Sequence, residues 1–552
     1  MMQTASDSGL CDGRNSRSLN NPRKTWGGLK CPVQPDIWED NMTRNRNAAL
    51  WFVDRHPDQG RADKEAFREA AGTKRSLSYG GLAEQSARVA GALGRAGINR
   101  EERAVMLMLD QLEFPSIFWG CLKAGVVAVP LNTLLATDVY EVILNDARAA
   151  ILFVSEELLP VVLPAALKTP SLRQIVVIGT APEGTTSFST FMDGANPAKP
   201  VEVSDDECAF WLYSSGSTGQ PKGVRHVHSA LKSTADTYGA QVLGIREDDT
   251  VYSVAKLFFA YGLGNAMTFP MSVGATTVLF NGRPTPDGVA GILEAEKPTI
   301  FCGVPTLYAA LVQHLETAGL PDAPLRACIS AGEALPEEIG KKWNGFWGVD
   351  ILDGVGSTEM LHIFLSNAPG DVAYGTSGVA VPGYELRLVN EDGVEVGTGE
   401  IGELLVRGAS AADGYWNKRD KTRTTFEGEW TRTGDKYERR ADGRLVYCGR
   451  TDDMFKVSGI WVSPFEVEQS LVSHPAVLEA AVVPARDSEG LEKPKAFIVL
   501  KQSGGSVATG ELQDYVKEKI GKWKYPRWVE FVDDLPKTAT GKIQRFKLRD
   551  PA

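Results

Sequence analysis

From residue 103 onward, short β-branched apolar runs alternate with amphipathic stretches. Residues 105–109 form an apolar run, 114–124 have helical spacing, and 126–130 form a second run. Residues 150–154 and 174–178 continue the series. Runs of this kind, separated by helical stretches, predict parallel sheets covered by helices. A second series starts at 208–213 and passes into a Ser/Gly/Thr loop. It predicts a helix over 229–243, a strand over 251–254, a helix over 264–273 and a strand over 275–280. The stretches 299–302, 305–318, 326–330 and 336–347 repeat the alternation.

After about residue 375 the texture changes. Glycine-punctuated runs such as 384–390 and 403–408 predict antiparallel strands and turns. The last ~100 residues predict a small α+β unit. Its helices fall at 464–474 and 510–520, its strands at 477–483 and 496–500. The fold class expected is α/β. A large N-terminal domain over 41–450 has a β-rich subdomain at about 375–450. A small C-terminal domain over 451–552 follows. Residues 1–40 are polar and expected to be a disordered leader.

Composition narrows the function classes. The 552 residues are 43% apolar and 23% charged, which excludes wholesale disorder. The net charge of −11 argues against a nucleic-acid binder. The apolar segment 104–131 is interrupted by Asp110, Glu113 and Lys123, so no membrane span is expected. Seven scattered cysteines with no CxxC pair read as reduced thiols of a cytoplasmic protein without a zinc site.

The strongest local signal is Tyr213-Ser214-Ser215-Gly216-Ser217-Thr218-Gly219-Gln220-Pro221-Lys222-Gly223. Its glycines let backbone N–H groups approach an anion, its hydroxyls donate to phosphate oxygens, and Lys222 adds a compact positive charge. It is not a Walker loop, because Gly223 follows Lys222. The expected setting is a loop between a buried strand and a helix. Further on stands Gly356-Ser357-Thr358-Glu359, a hydroxyl and a carboxylate side by side, suited to a phosphate oxygen and Mg²⁺. Asp435, read as a turn residue, is a carboxylate able to accept two hydroxyls of a ribose.

With Thr433-Gly434-Asp435, Gly449-Arg450-Thr451-Asp452-Asp453 and Pro536-Lys537-Thr538-Ala539-Thr540-Gly541-Lys542, these motifs occur in an order that resembles the adenylate-forming superfamily. That superfamily comprises acyl- and aryl-CoA synthetases, luciferases and adenylation domains. The resemblance runs over about residues 45–552. It implies ATP, Mg²⁺ and coenzyme A as co-substrates and cofactor. It places Ser214, Ser215, Gly216, Ser217, Thr218, Gly219 and Lys222 on the phosphates, with Thr358 at the α-phosphate and Glu359 on the metal. Gly332, Glu333, Ala334, Val355, Gly356 and Ser357 would line the adenine side, and Asp435 with Arg450 the ribose. The family often carries an aromatic residue where Val355 stands. Lys542 would be the catalytic cation, delivered to meet two anions brought together. Asp452 matches the hinge position. Lys456, Ser458, Gly459 and Trp461 would meet the thiol donor's arm.

The acid is suggested by small residues facing aromatics. The run Gly356-Ser357-Thr358-Glu359-Met360-Leu361-His362-Ile363-Phe364 resembles benzoate–CoA ligases. By that resemblance Ala260, Tyr261, Ala331, Gly356, His362 and Ile363 line an aryl slot. Benzoate is the first expected acid, with a medium-chain fatty acyl–CoA synthetase as the rival enzyme. That rival predicts an open tunnel beyond Tyr261 and His362. A non-catalytic adenylate-binding protein is the rival of another class. The partners expected are an aryl carboxylate, ATP and CoA; monomer and homodimer both stay open.

Overall fold

The structure, a computed structural model, describes residues 45–70, 74–215, 220–457, 460–488, 490–501, 507–537 and 543–549. The leader expected at 1–40 lies outside them. Among these residues two large mixed sheets dominate. One has nine strands in the spatial order Val379–Ala380, Ile363–Ser366, Ile351–Gly356, Ala327–Ala331, Ile300–Gly303, Thr250–Ser253, Thr276–Leu279, Glu65–Glu69 and Ser76–Ser78. The other has eight, in the order Gly414–Tyr415, Pro221–Val227, Cys208–Ser215, Val127–Pro130, Arg103–Leu107, Ala149–Ser155, Gln174–Ile178 and Thr186–Ser187.

The interior of each sheet is parallel, as the buried β-branched runs predict. The edges are not. Ile363–Ser366 runs antiparallel to Ile351–Gly356, and Pro221–Val227 runs antiparallel to Cys208–Ser215. Thus the Ser/Gly segment joins two strands of a hairpin rather than a strand and a helix. The physical reason is that antiparallel neighbours close through a short turn, whereas parallel ones need a long crossover. Both motif-bearing turns sit at these antiparallel edges.

Aromatic side chains fill the space between the sheets. Phe118 meets Phe210 edge to face at 5.6 Å, and Phe52 stacks on Trp119 at 5.2 Å. Helix Glu113–Ala124, buried over most of its length, ends at Gly125, whose φ of 70° closes the last turn. The helix expected over 264–273 begins earlier, at Ala260, and widens into a π-type turn over Gly264–Thr268 before Phe269–Val273. Such widenings insert one residue per turn and re-aim the side chains around them.

An antiparallel sheet of Glu385–Val389, Ile401–Arg407, Trp430–Arg439, Phe426–Glu427 and Leu445–Arg450 follows. Asp435 lies inside the Trp430–Arg439 strand, paired in register with Arg450, and not at a turn. The turn-like composition there comes from Gly434, whose φ of 72° bends the strand locally. The C-terminal part packs helices Pro464–Val472 and Thr509–Ile520 on a sheet of Val477–Arg486, Glu492–Leu500 and Trp528–Phe531. Val467, Leu471, Val482, Ile498, Leu512 and Val516 form its core. Among the described residues no helix is long and apolar enough to cross a membrane.

Candidate active site

Three side chains from distant parts of the chain meet at one point. Lys222, on the antiparallel edge strand, places Nζ 3.5 Å from Glu359 Oε1 and 3.3 Å from the Tyr415 hydroxyl. Tyr415 donates to the same Glu359 oxygen at 2.8 Å, and its ring lies under the ammonium at 4.4 Å. Burial draws the Lys222 ammonium below the usual lysine range, against the pull of Glu359. Burial, with the Glu359 charge beside it, raises the Tyr415 hydroxyl, so it stays a proton donor. A cation, a carboxylate and a donor thus share one pocket wall, where an anion could be exchanged for the carboxylate.

The turn carrying Thr358 and Glu359 is held from both sides. His226 Nε2 lies 2.9 Å from the Thr358 carbonyl, so that nitrogen carries the proton. Burial lowers His226 to about 4, which keeps it neutral. The Glu359 carbonyl accepts from Ala412 N–H at 2.8 Å, and Ser357 Oγ accepts from Met360 N–H at 3.1 Å. Gly356 has no room for a side chain, since a Cβ would stand 2.6 Å from the His362 carbonyl.

Next to this turn lie the other predicted nucleotide residues. Ser214 is in register with Lys222, and Ser215 with Pro221. Gly216, Ser217, Thr218 and Gly219 lie outside the described residues. Gly332, Glu333 and Ala334 follow strand Ala327–Ala331, turned there by Gly332 at φ 100°. The adjacent Leu335 N–H points to the Asp353 carboxyl at 3.4 Å. Burial lifts Asp353 to about 8, so it is a protonated acid at neutral pH. Val355 stands on the Ile351–Gly356 strand. Arg450 Nη1 donates to Asp435 Oδ1 and to the Thr433 carbonyl, each at 2.9 Å.

The aryl residues also converge. Tyr261 shares its hydroxyl between the carbonyls of Gly303 and Ile329, both at 3.1 Å, and its ring stacks beside His362 at 5.8 Å. His362 donates from Nε2 to the Tyr261 carbonyl at 3.3 Å, and burial lowers its pKa to about 3. A Cβ on Gly264 would stand 2.3 Å from the His362 ring. Ile363 and Ala331 are buried alongside, and Ala260 begins the helix that carries Tyr261. Two further rings pack on His362, Phe269 at 4.5 Å and Tyr238 at 5.3 Å.

Four of these neighbours escape sequence reasoning: Tyr415, His226, Tyr238 and Phe269. Tyr415 alone carries a local hint, because two adjacent aromatics, Tyr415 and Trp416, stand at the short edge strand Gly414–Tyr415. Lys456 and Trp461 are backbone partners in register between strands Phe455–Val457 and Ile460–Val462. Ser458, Gly459 and Lys542 lie outside the described residues. Asp452 stands just after Arg450 at the entrance to the C-terminal part.

Comparison with known proteins agrees with this geometry. Residues 53–416 match the AMP-binding enzyme family, and residues 466–542 match the AMP-binding enzyme C-terminal domain. A 4-hydroxybenzoate–CoA/benzoate–CoA ligase of Rhodopseudomonas palustris is 54% identical over 92% of this chain and 94% of its own. A benzoate–CoA ligase of Thauera aromatica is 52% identical over 91% of this chain and 95% of its own. The crystal structure of a benzoate CoA ligase from Burkholderia xenovorans LB400 superposes with a TM-score of 0.83. It is 48% identical and covers 92% of this chain and all of that one. On these grounds the chain belongs to the AMP-binding enzyme family.

Proposed function

We propose that the chain is an ATP-dependent aryl-acid–CoA ligase with benzoate as its acid. It joins carboxylate and ATP into an aryl-adenylate with release of pyrophosphate. It then passes the acyl group to the thiol of CoA with release of AMP. The observation that carries this reading is the single turn from Gly356 to Ile363. Glu359 on that turn faces Lys222, while His362 and Ile363 are buried beside Tyr261. A ring seated among Tyr261, His362 and Phe269 would present its carboxylate toward the place where the α-phosphate rests.

The residues divide the work by chemistry. Lys222 and the Ser214–Gly219 loop bind phosphate oxygens, Thr358 the α-phosphate, and Asp435 with Arg450 the ribose. Val355 and Gly332-Glu333-Ala334 flank the base. Among the described residues no three His, Cys, Asp or Glu side chains gather at one point. Glu359 therefore offers one carboxylate, a donor set that suits Mg²⁺, which binds through one or two carboxylates plus phosphates. Bound there, Mg²⁺ would neutralise phosphate charge. Tyr415 holds the Glu359 carboxylate in place for that task.

The neutral His362 is a wall of the slot and not a base. Lys542 supplies the positive charge where carboxylate and phosphate approach, and Asp452 is the hinge about which the residues after 451 turn. In the second pose the Phe455–Val462 hairpin, with Lys456, Ser458, Gly459 and Trp461, receives the thiol's arm. Among the described residues five free cysteines, four of them buried, support a place in the cytoplasm.

The test is AMP release from ATP, Mg²⁺ and CoA with benzoate, ring-substituted benzoates or hexanoate at equal concentration. Benzoate or a ring-substituted benzoate should lead. Faster turnover of hexanoate would replace this reading with the fatty-acid one, and no AMP from any acid would leave only nucleotide binding.

A further inference from the structure

The entrance to the C-terminal part is gripped on both sides by charged side chains. Upstream, Thr451 N–H donates to the Gly434 carbonyl at 2.8 Å, and Arg450 holds Asp435 and Thr433. Downstream, Arg549 Nη2 reaches the Asp452 carbonyl at 3.0 Å and Asp453 Oδ1 at 2.5 Å. Arg545 forks onto the buried Glu468 carboxylate at 2.8 and 2.6 Å, and its remaining nitrogen lies 3.4 Å from Asp453 Oδ2. Glu468 is fixed in turn by the Val482 N–H at 2.7 Å.

Both arginines belong to the segment that runs on from Lys542. The base of that loop is closed by a bridge between Lys537 and Ile543 and by Gln544 N–H on the Pro536 carbonyl at 2.7 Å. Lys537 is itself tied to Glu479 at 2.7 Å. From that base, Arg545 and Arg549 reach directly to Asp452 and Asp453. The peptide after Asp452 is therefore part of the C-terminal body. The one before it is part of the preceding sheet. Rotation then falls on the backbone torsions of Asp452, breaking the bonds from Asp453 and Met454 N–H to the Arg450 carbonyl.

We propose that Arg549 and Arg545 are positioning residues that clasp the hinge to the base of the Lys542 loop. The inference rests on the reading given under Proposed function. The clasp turns the hinge and the loop as one piece, so Lys542 arrives in register for adenylation. Thiol transfer from a finished adenylate needs no such register. Bidentate arginine–carboxylate pairs give the directional hold this requires.

The experiment separates the half-reactions in the full chain. Pyrophosphate release from benzoate and Mg-ATP without CoA reads the first. Benzoyl-CoA formation from CoA and chemically made benzoyl-adenylate reads the second. Arg549→Gln should slow the first at least fivefold and leave the second within twofold. Asp453→Asn should reproduce that split, and Arg549→Lys should recover part of the first rate. Unchanged rates, or both rates falling together in Arg549→Gln and Asp453→Asn, would overturn the clasp. No pyrophosphate from the unaltered chain would instead overturn the ligase reading beneath it.

Discussion

The aryl slot and the hinge junction are built from opposite materials. The slot is a packing of rings and glycines, held by hydrogen bonds to backbone carbonyls. The junction is a set of ion pairs, Arg450 with Asp435, Arg545 with Glu468 and Arg549 with Asp453. Close packing resists change in volume, so the slot selects by shape. Directional ion pairs hold the two faces of the junction, so that turning breaks only the backbone bonds from Asp453 and Met454 N–H to the Arg450 carbonyl. On the proposed reading, the region that discriminates is tightly packed and the region that moves is polar.

The largest expected effect tests the moving side. Lys542→Ala should lower adenylate formation by about 10²–10³, the usual cost of losing one charge-stabilising group. Transfer from preformed benzoyl-adenylate should persist. Equal loss in both half-reactions would show that the lysine serves more than one pose. Next, Gly264→Ala tests the stiff side. Its Cβ would stand 2.3 Å from the His362 ring, and overpacking costs about 1–3 kcal/mol. The expected result is a rise of about tenfold or more in KM for benzoate with little change in KM for ATP. A parallel rise in both would mean that the slot yields as a whole.

Tyr415→Phe probes the point between the two regions. It removes a hydrogen bond to a carboxylate, worth about 1.5–3 kcal/mol. Because Lys222 still faces Glu359, a loss of about tenfold in kcat/KM for Mg-ATP is expected, with KM for benzoate unchanged. No change in the Mg²⁺ dependence would remove Tyr415 from its supporting role.

The smallest effect is on stability with pH. His56, His226 and His228 are pushed down to about 4 and His362 to about 3, all by burial first. The unfolded chain takes up protons below about 6.5, and the folded chain does not until near 4. Protons therefore favour unfolding across that window, and Tm should fall as pH drops from 7 to 4. Asp353 works the other way. Its folded pKa of about 8 lies above the unfolded value, so its contribution is lost as pH rises from about 4 through 8. Asp353→Asn should remove that opposing slope, so that Tm falls more steeply from pH 7 to 4 in the variant while the slope above pH 8 stays as it is.

How much of this is legible in the amino-acid order depends on range. The parallel interiors are, because a strand buried on both faces must be apolar throughout. The placing of Lys222 near Glu359 is legible only through motif order. Asp435 reads as a turn residue because Thr-Gly-Asp has turn composition, while its strand setting comes from register with Arg450. Tyr238 and Phe269 carry no local mark, since a ring in a pocket wall and a ring in the core look alike in sequence. Tyr415 joins Glu359 from 56 residues away. Such contacts are decided by how sheets pack, which no local pattern encodes.

The turn from Gly356 to Ile363 has a consequence for adaptation to new acids. Because the nucleotide wall and the ring wall share those eight residues, altering His362 or Ile363 to admit a bulkier acid also strains Thr358 and Glu359. Tyr238 and Phe269 pack on the His362 ring, at the end of the turn away from Thr358 and Glu359. Redesign that begins there can widen the preference without taxing turnover, and natural drift in acid choice has its freest path through the same two positions.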